Sequence, residues 1–241
     1  MKTLNNLKKY LVLTALALFI ASCEKSELIE ETSTPQGEQV EGFKSQTGNS
    51  DSEIGNLSDE KPLFHMKYGG DISEEEANAR FEVDVKAFIE EYKKNNKGVS
   101  TEWFYRIATH TGTQTYNDTD ANVWGRVQFK TDKGNINAGW KELNNFGNDR
   151  EKGDWDYYIF RAAYPGQAVS WVEVDHASLA LQGTDGWFVT HFYAQVYTSI
   201  QSISSSGYSR IIAYPNVWLD NNTSSGWDYY HNGNDVGRLN F

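Results

Sequence analysis

From residue 101 onward, turn residues recur about every eight to twelve positions and cut the chain into short segments that alternate large apolar with polar side chains. A period of two is the pattern of a strand, and short strands at this spacing pack as a two-layer sandwich. The spacing predicts strands over 103–109, 121–129, 136–143, 155–161, 169–175, 187–197 and 210–218, with 227–230 as an eighth. Between them lie Gly-, Pro-, Asn-, Asp- and Ser-rich separators at 131–134, 144–153, 164–166, 182–186 and 202–207. All eight tryptophans fall in this region, so the large core has to be built here. The expected fold is an all-β, antiparallel β-sandwich of about eight strands.

The chain before it reads differently. Lys2, Lys8 and Lys9 precede an apolar run over 10–20, too short for a mature membrane span, which predicts a secretion signal over 1–23. The run ends in Ile20-Ala21-Ser22-Cys23, and Cys23 is the single cysteine, so an intramolecular disulfide is excluded. This ending resembles the lipobox of bacterial lipoproteins. The resemblance implies a diacylglycerol on the Cys23 thiol and fatty acyl chains such as palmitate that hold the protein in the envelope. Each buried methylene contributes about 0.8 kcal/mol to such an anchor. Glu24 stands where an aspartate would resemble an inner-membrane retention signal, which points to the outer membrane, with the domain facing either side.

Residues 24–70 are acidic and polar with few large apolar side chains, which predicts a disordered tether reaching about 35–40 Å. The chain carries a net charge of −11, a balance that disfavours nucleic acid and leaves docking on anionic headgroups in need of a bridging cation. Residues 71–98 predict one amphipathic helix. Ser73 with Glu76 forms a capping box, three glutamates occupy the first turn, and Lys93, Lys94 and Lys97 precede Gly98. Phe81, Val85, Phe88, Ile89 and Tyr92 form one apolar stripe, which needs either the sandwich or another protein as its partner.

Several motifs on the strands carry a family resemblance. Thr111-Gly112 followed by Thr119-Asp120-Ala121-Asn122-Val123, then Lys152-Gly153 with Asp156-Tyr157, then Trp187 with Phe192 and Ala194, and finally Tyr214-Pro215-Asn216-Val217-Trp218-Leu219 occur in that order. Together they resemble the PLAT/LH2 domain, over residues 101–222. The chain departs from the family pattern at Tyr116-Asn117-Asp118, where a glycine-rich segment is usual, and at Asp175-His176-Ala177. Residues 223–241 lie outside the resemblance and read as a C-terminal extension. The resemblance implies a non-catalytic β-sandwich that binds membrane lipid or a partner protein, with Ca²⁺ assisting in some members.

The residues suggest where such binding occurs. Asn117, Asp118 and Asp120 put amide and carboxylate oxygens within four positions, the donor type a calcium shell takes, although Asn and Asp also satisfy turns through their own backbone bonds. Trp124 is out of phase with Val123 and Val127, while Tyr116, Trp140 and Trp227 stand beside turns, so these four are the candidate ligand contacts. They suit an acyl interface or a sugar ring, which leaves a surface carbohydrate-binding sandwich as the rival reading. Catalysis finds little support: no Gly-x-Ser-x-Gly, His-Glu-x-x-His or phosphate-cradling glycine loop is present. A small hydrolase would rest on His176 and His191, which the strand pattern puts on neighbouring predicted strands within reach of each other, or on an unmarked pair of acids.

Overall fold

Strand β3 (Glu102–Thr111) shows what the chain has to solve. Trp103, Tyr105 and Ile107 face one way, Phe104 and Ala108 the other, and all five are buried. A strand apolar on both faces needs cover on both. In the computed structural model, which describes residues 57–58, 60–96, 101–143, 150–199, 205–220 and 226–241, one cover is a second sheet and the other is a helix. The leader, Cys23 and the tether up to residue 56 lie outside the described residues.

The first sheet runs, in spatial order, β13 (Asp235–Val236), β10 (Ser209–Ala213), β8 (Trp187–Ser199), β3, β6 (Trp155–Ala163) and β2 (Phe64–Tyr68), with β11 (Val217–Leu219) also on β8. The second runs β1 (Leu57–Ser58), β5 (Gly134–Glu142), β4 (Asn122–Thr131), β7 (Trp171–Gln182), β14 (Leu239–Asn240) and β9 (Ser206–Gly207), with β12 (Trp227–Asn232) also on β7. Pairing is antiparallel except between β1 and β5. The architecture is therefore the expected β-sandwich. Its central core joins Trp103, Tyr105, Phe129, Phe160, Trp187 and Phe192 from the two inner faces.

Helix α1 (Glu74–Asn95) begins where the capping box places it. The Ser73 hydroxyl accepts from the Glu76 amide at 3.2 Å, and Asn96 ends the helix. Ala77, Phe81, Val85 and Ile89 are buried against Phe104, Trp155, Tyr157 and Ile159 on the outer face of the first sheet. The stripe's partner is thus the chain's own sandwich. Arg106 pins the contact: it is 5% exposed, donates to Gln195 at 2.8 Å and Asn78 at 3.3 Å, and lies over the rings of Phe81 and Tyr157.

The tertiary structure redraws several boundaries. Phe64–Tyr68, inside the stretch that composition assigns to the tether, forms edge strand β2 on β6, because Phe64 and Met66 pack under the helix. The region after residue 222, read as an extension apart from the eighth strand expected over 227–230, supplies that strand as β12 and also β14, both paired with β7 and both part of the sandwich. The single strand expected over 210–218 is divided into β10 and β11 around Pro215, which has no amide proton to donate, and Asn216, at φ 45°. Asp175-His176-Ala177 falls in the middle of β7 and not at a strand end.

Candidate functional site

The motif residues come together at one end of the sandwich. The buried Trp187 indole donates to the Thr111 hydroxyl at 2.9 Å, the Gly112 amide donates to the Phe188 carbonyl at 2.9 Å, and the Gly153 amide donates to the Gly112 carbonyl at 3.1 Å. Gly153 has φ 79° and abuts Gly70, where an added Cβ would meet Gly153 Cα at 2.7 Å, so both positions need glycine. These bonds fix the roots of three loops.

Beyond the roots, the β3–β4 loop, the β7–β8 turn and the segment after β11 enclose an open hollow of about 470 Å³. Asp118, Asp120, Asp185 and Asp220 line it, and none of its nine lining residues is basic. Two exposed aromatics frame it: Tyr116, 83% exposed, and Trp218, 42% exposed. Both are presented by unusual backbone. Tyr116 itself has φ 71°, a left-handed conformation that is an outlier for a bulky side chain, and Asn216 at φ 45° turns the chain into β11 just before Trp218. Trp218 leans on Phe188 with ring centroids 5.2 Å apart, and Gly186 lies close under the same segment, where an added Cβ would meet the Asp220 Cβ at 3.1 Å.

Of the residues that the sequence singles out, Asp118, Asp120 and Tyr116 share this hollow. Asn117 does not: it is buried, its carbonyl accepts from the Phe188 amide at 3.1 Å, and its side chain packs at Gly112. The expected set Asn117, Asp118 and Asp120 therefore does not converge. Asp185 is committed elsewhere, since its Oδ2 accepts from the Asp120 amide at 2.6 Å and from the Thr119 hydroxyl at 3.1 Å. Among the described residues no three His, Cys, Asp or Glu side chains are grouped to hold a metal ion. The donors have the right chemistry for calcium, but they do not form a ready cage.

Trp124 and Trp140 are not surface contacts. They are 8% and 2% exposed and join Ala180 and Tyr229 in a small cluster on the outer face of the second sheet. β12 supplies the reason. It pairs with β7 opposite β4, so the small Ala180 lies between Trp124 and Tyr229, and Trp227, half-buried, meets Trp124 at 4.8 Å between ring centroids. Trp218, Asp185 and Asp220 are the residues the sequence reading missed. Trp218 was visible in the closing motif, but nothing in a spacing of about a hundred residues says that it faces Tyr116.

His176 and His191 do not meet, because they stand on β7 and β8 in different sheets. His176 pairs with Asp175 at 2.9 Å. His191 instead faces His110, with ring centroids 5.0 Å apart, and a register shift puts the Thr190 hydroxyl 2.5 Å from His110 Nδ1 and 2.8 Å from His191 Nδ1. Burial first, and then the proximity of His191, lowers the His110 imidazole to about 4; burial also lowers His191, against the pull of Glu74. This is a packed, hydrogen-bonded pair beside the helix start.

No family model and no curated protein matches the chain. Solved structures do align. The alpha-toxin of Clostridium perfringens from avian strain SWCP aligns at 17% identity with TM-score 0.37, over 54% of this chain and 31% of the toxin. Coral 8R-lipoxygenase, described as calcium-activated through a C2-like domain, aligns at 17% identity with TM-score 0.33, over 57% of this chain and 17% of the enzyme. The alpha-toxin of Clostridium absonum aligns at 14% identity with TM-score 0.33, over 54% of this chain and 30% of the toxin. The chain thus spans less than a third of the length of each.

Proposed function

We propose that this protein is a lipid-anchored, non-catalytic module that docks its loop end on a membrane surface. The observation that carries the reading is the pair Tyr116 and Trp218, held out in solvent at one end of the sandwich by strained or redirected backbone. Aromatic rings with a polar tip settle at the membrane interface. Partial burial of two such rings is worth roughly 4 kcal/mol, an affinity of about 1 mM. That is weak for a free protein. An anchor at Cys23 makes it adequate, because tethering gives the docking site an effective concentration of the same millimolar order. Among the described residues no helix is long and apolar enough to cross a membrane, so attachment in this reading rests on the anchor and the loop end.

The acidic hollow shapes the preference for lipid. Asp118, Asp120 and Asp220 oppose an anionic surface, and calcium at millimolar concentration acts as a loosely held counter-charge between rim and headgroups. Co-sedimentation of the unlipidated Cys23→Ser chain with zwitterionic and anionic vesicles, with and without calcium, tests the proposal. The expected result is that association falls by roughly a thousand-fold, to background, in the Tyr116→Ala and Trp218→Ala double variant, with calcium raising binding to anionic vesicles only. Retention on insoluble polysaccharide without vesicle association in any condition overturns it in favour of the carbohydrate reading.

A further inference from the structure

We infer that Asp185 is the positioning residue of the docking end: its carboxylate ties the β7–β8 turn to the β3–β4 loop and so holds Tyr116 at the rim. The inference rests on the docking reading for its consequence, but its geometry stands apart from it. Asp185 is joined to the loop through two donors, one of them shared between two of its oxygens. Oδ2 accepts from the Asp120 amide at 2.6 Å and from the Thr119 hydroxyl at 3.1 Å, and the Asp185 carbonyl accepts from that same hydroxyl at 3.0 Å.

Thr119 completes the tie, since its oxygen also accepts from the Ala121 amide at 3.1 Å, and it is 4% exposed. The Phe188 amide secures the other flank of the loop by donating to the Asn117 carbonyl. Tyr116 lies between these two fastenings and the β3 end. Its left-handed backbone is unfavourable by itself and persists only where neighbours over-determine it. One oxygen that accepts from both the Asp120 amide and the Thr119 hydroxyl fixes two consecutive residues at once, so the Asp185 contact is the fastening with the most to contribute.

This assignment separates Asp185 from its three carboxylate neighbours in the hollow. Asp118, Asp120 and Asp220 act through charge toward whatever approaches, whereas Asp185 acts as an acceptor within the protein. The two roles respond differently to Asp185→Asn, which removes the charge and keeps an acceptor oxygen, and to Asp185→Ala, which removes both.

The experiment compares the full-length chain carrying Cys23→Ser, so that no acyl anchor masks docking, as the wild-type loop and with Asp185→Asn or Asp185→Ala, by vesicle co-sedimentation well below each melting temperature, and by hydrogen exchange of the Asp120 amide. In Asp185→Ala, vesicle binding falls roughly ten-fold and Asp120 exchange accelerates at least about ten-fold, while Asp185→Asn stays near wild type in both. Wild-type behaviour of Asp185→Ala overturns the inference. Equal loss in both variants overturns it too, because it assigns the effect to charge. If the wild type itself fails to bind vesicles, the docking reading has failed, and the Asp120 exchange rates in the three proteins alone decide whether Asp185 holds the loop.

Discussion

Tyr116 places a large ring in water from a backbone conformation that such residues avoid, and neither feature stabilises the fold. Holding a non-glycine residue in the left-handed region costs on the order of 1 kcal/mol. Tyr116→Gly removes that cost but gives the unfolded chain more freedom, so the two effects oppose each other. The strain is the larger for an aromatic residue at φ 71°, and Tyr116→Gly is expected to raise unfolding stability by about 0.5 kcal/mol while lowering vesicle association. Urea unfolding beside co-sedimentation checks it; a variant that is both less stable and equally membrane-bound contradicts it. Asn117 shows the opposite case. Its amide looks like a ligand in sequence, yet the chain uses it to pack the loop root at Gly112.

At the scale of elements, the helix is held to the first sheet by an apolar stripe, by Arg106 and by a titratable corner. Glu74 in the first helical turn accepts from the Tyr193 hydroxyl at 2.5 Å and lies 3.6 Å from His191, which faces His110. Both imidazoles bind protons less readily in the folded state than in the unfolded chain. Their contribution to stability is therefore fully present above pH 6.5 and is lost as pH falls toward about 4, where His110 titrates. Partial exposure screens the effect, so the loss between pH 7 and pH 5 amounts to about 1–2 kcal/mol. Burial raises the carboxyls of Asp154 and Asp228, which acts in the opposite sense and blunts the fall at the acid end. Unfolding free energies at pH 7 and pH 5 for wild type and His110→Gln measure this, with a smaller difference expected in the variant.

For the whole molecule, the last strands matter more than their position in the chain suggests. β12 pairs along six residues of β7, and Tyr229 and Leu239 are buried at 4% and 5% exposure. Removing residues 226–241 strips both and opens the edge of β7, a loss above about 5 kcal/mol, comparable with the total stability of a domain. Calorimetry of the truncated chain is expected to show no cooperative transition. A melting temperature within a few degrees of the intact protein would mean that these residues are the extension that a resemblance ending at residue 222 implies.

Period-two alternation places most strands of the sandwich within a few residues, and the capping box places the start of α1, because both signals arise from neighbours a few positions apart. Short edge strands such as β2 carry too few residues to show a period, and they form only because a sheet edge and a helix stand ready to receive them. The site divides in the same way. The chain's own residues name Tyr116, Asp118 and Asp120, which lie within one short loop, but Asp185, Trp218 and Asp220 join them only because the ends of β7, β8 and β11 meet at the same rim. The alternation of side chains alone thus determines that this protein is a sandwich with an acidic, aromatic loop. Tertiary structure alone decides which faces are covered, burying Trp124 and Trp140 and leaving Trp218 exposed, since cover is supplied by elements distant in the chain.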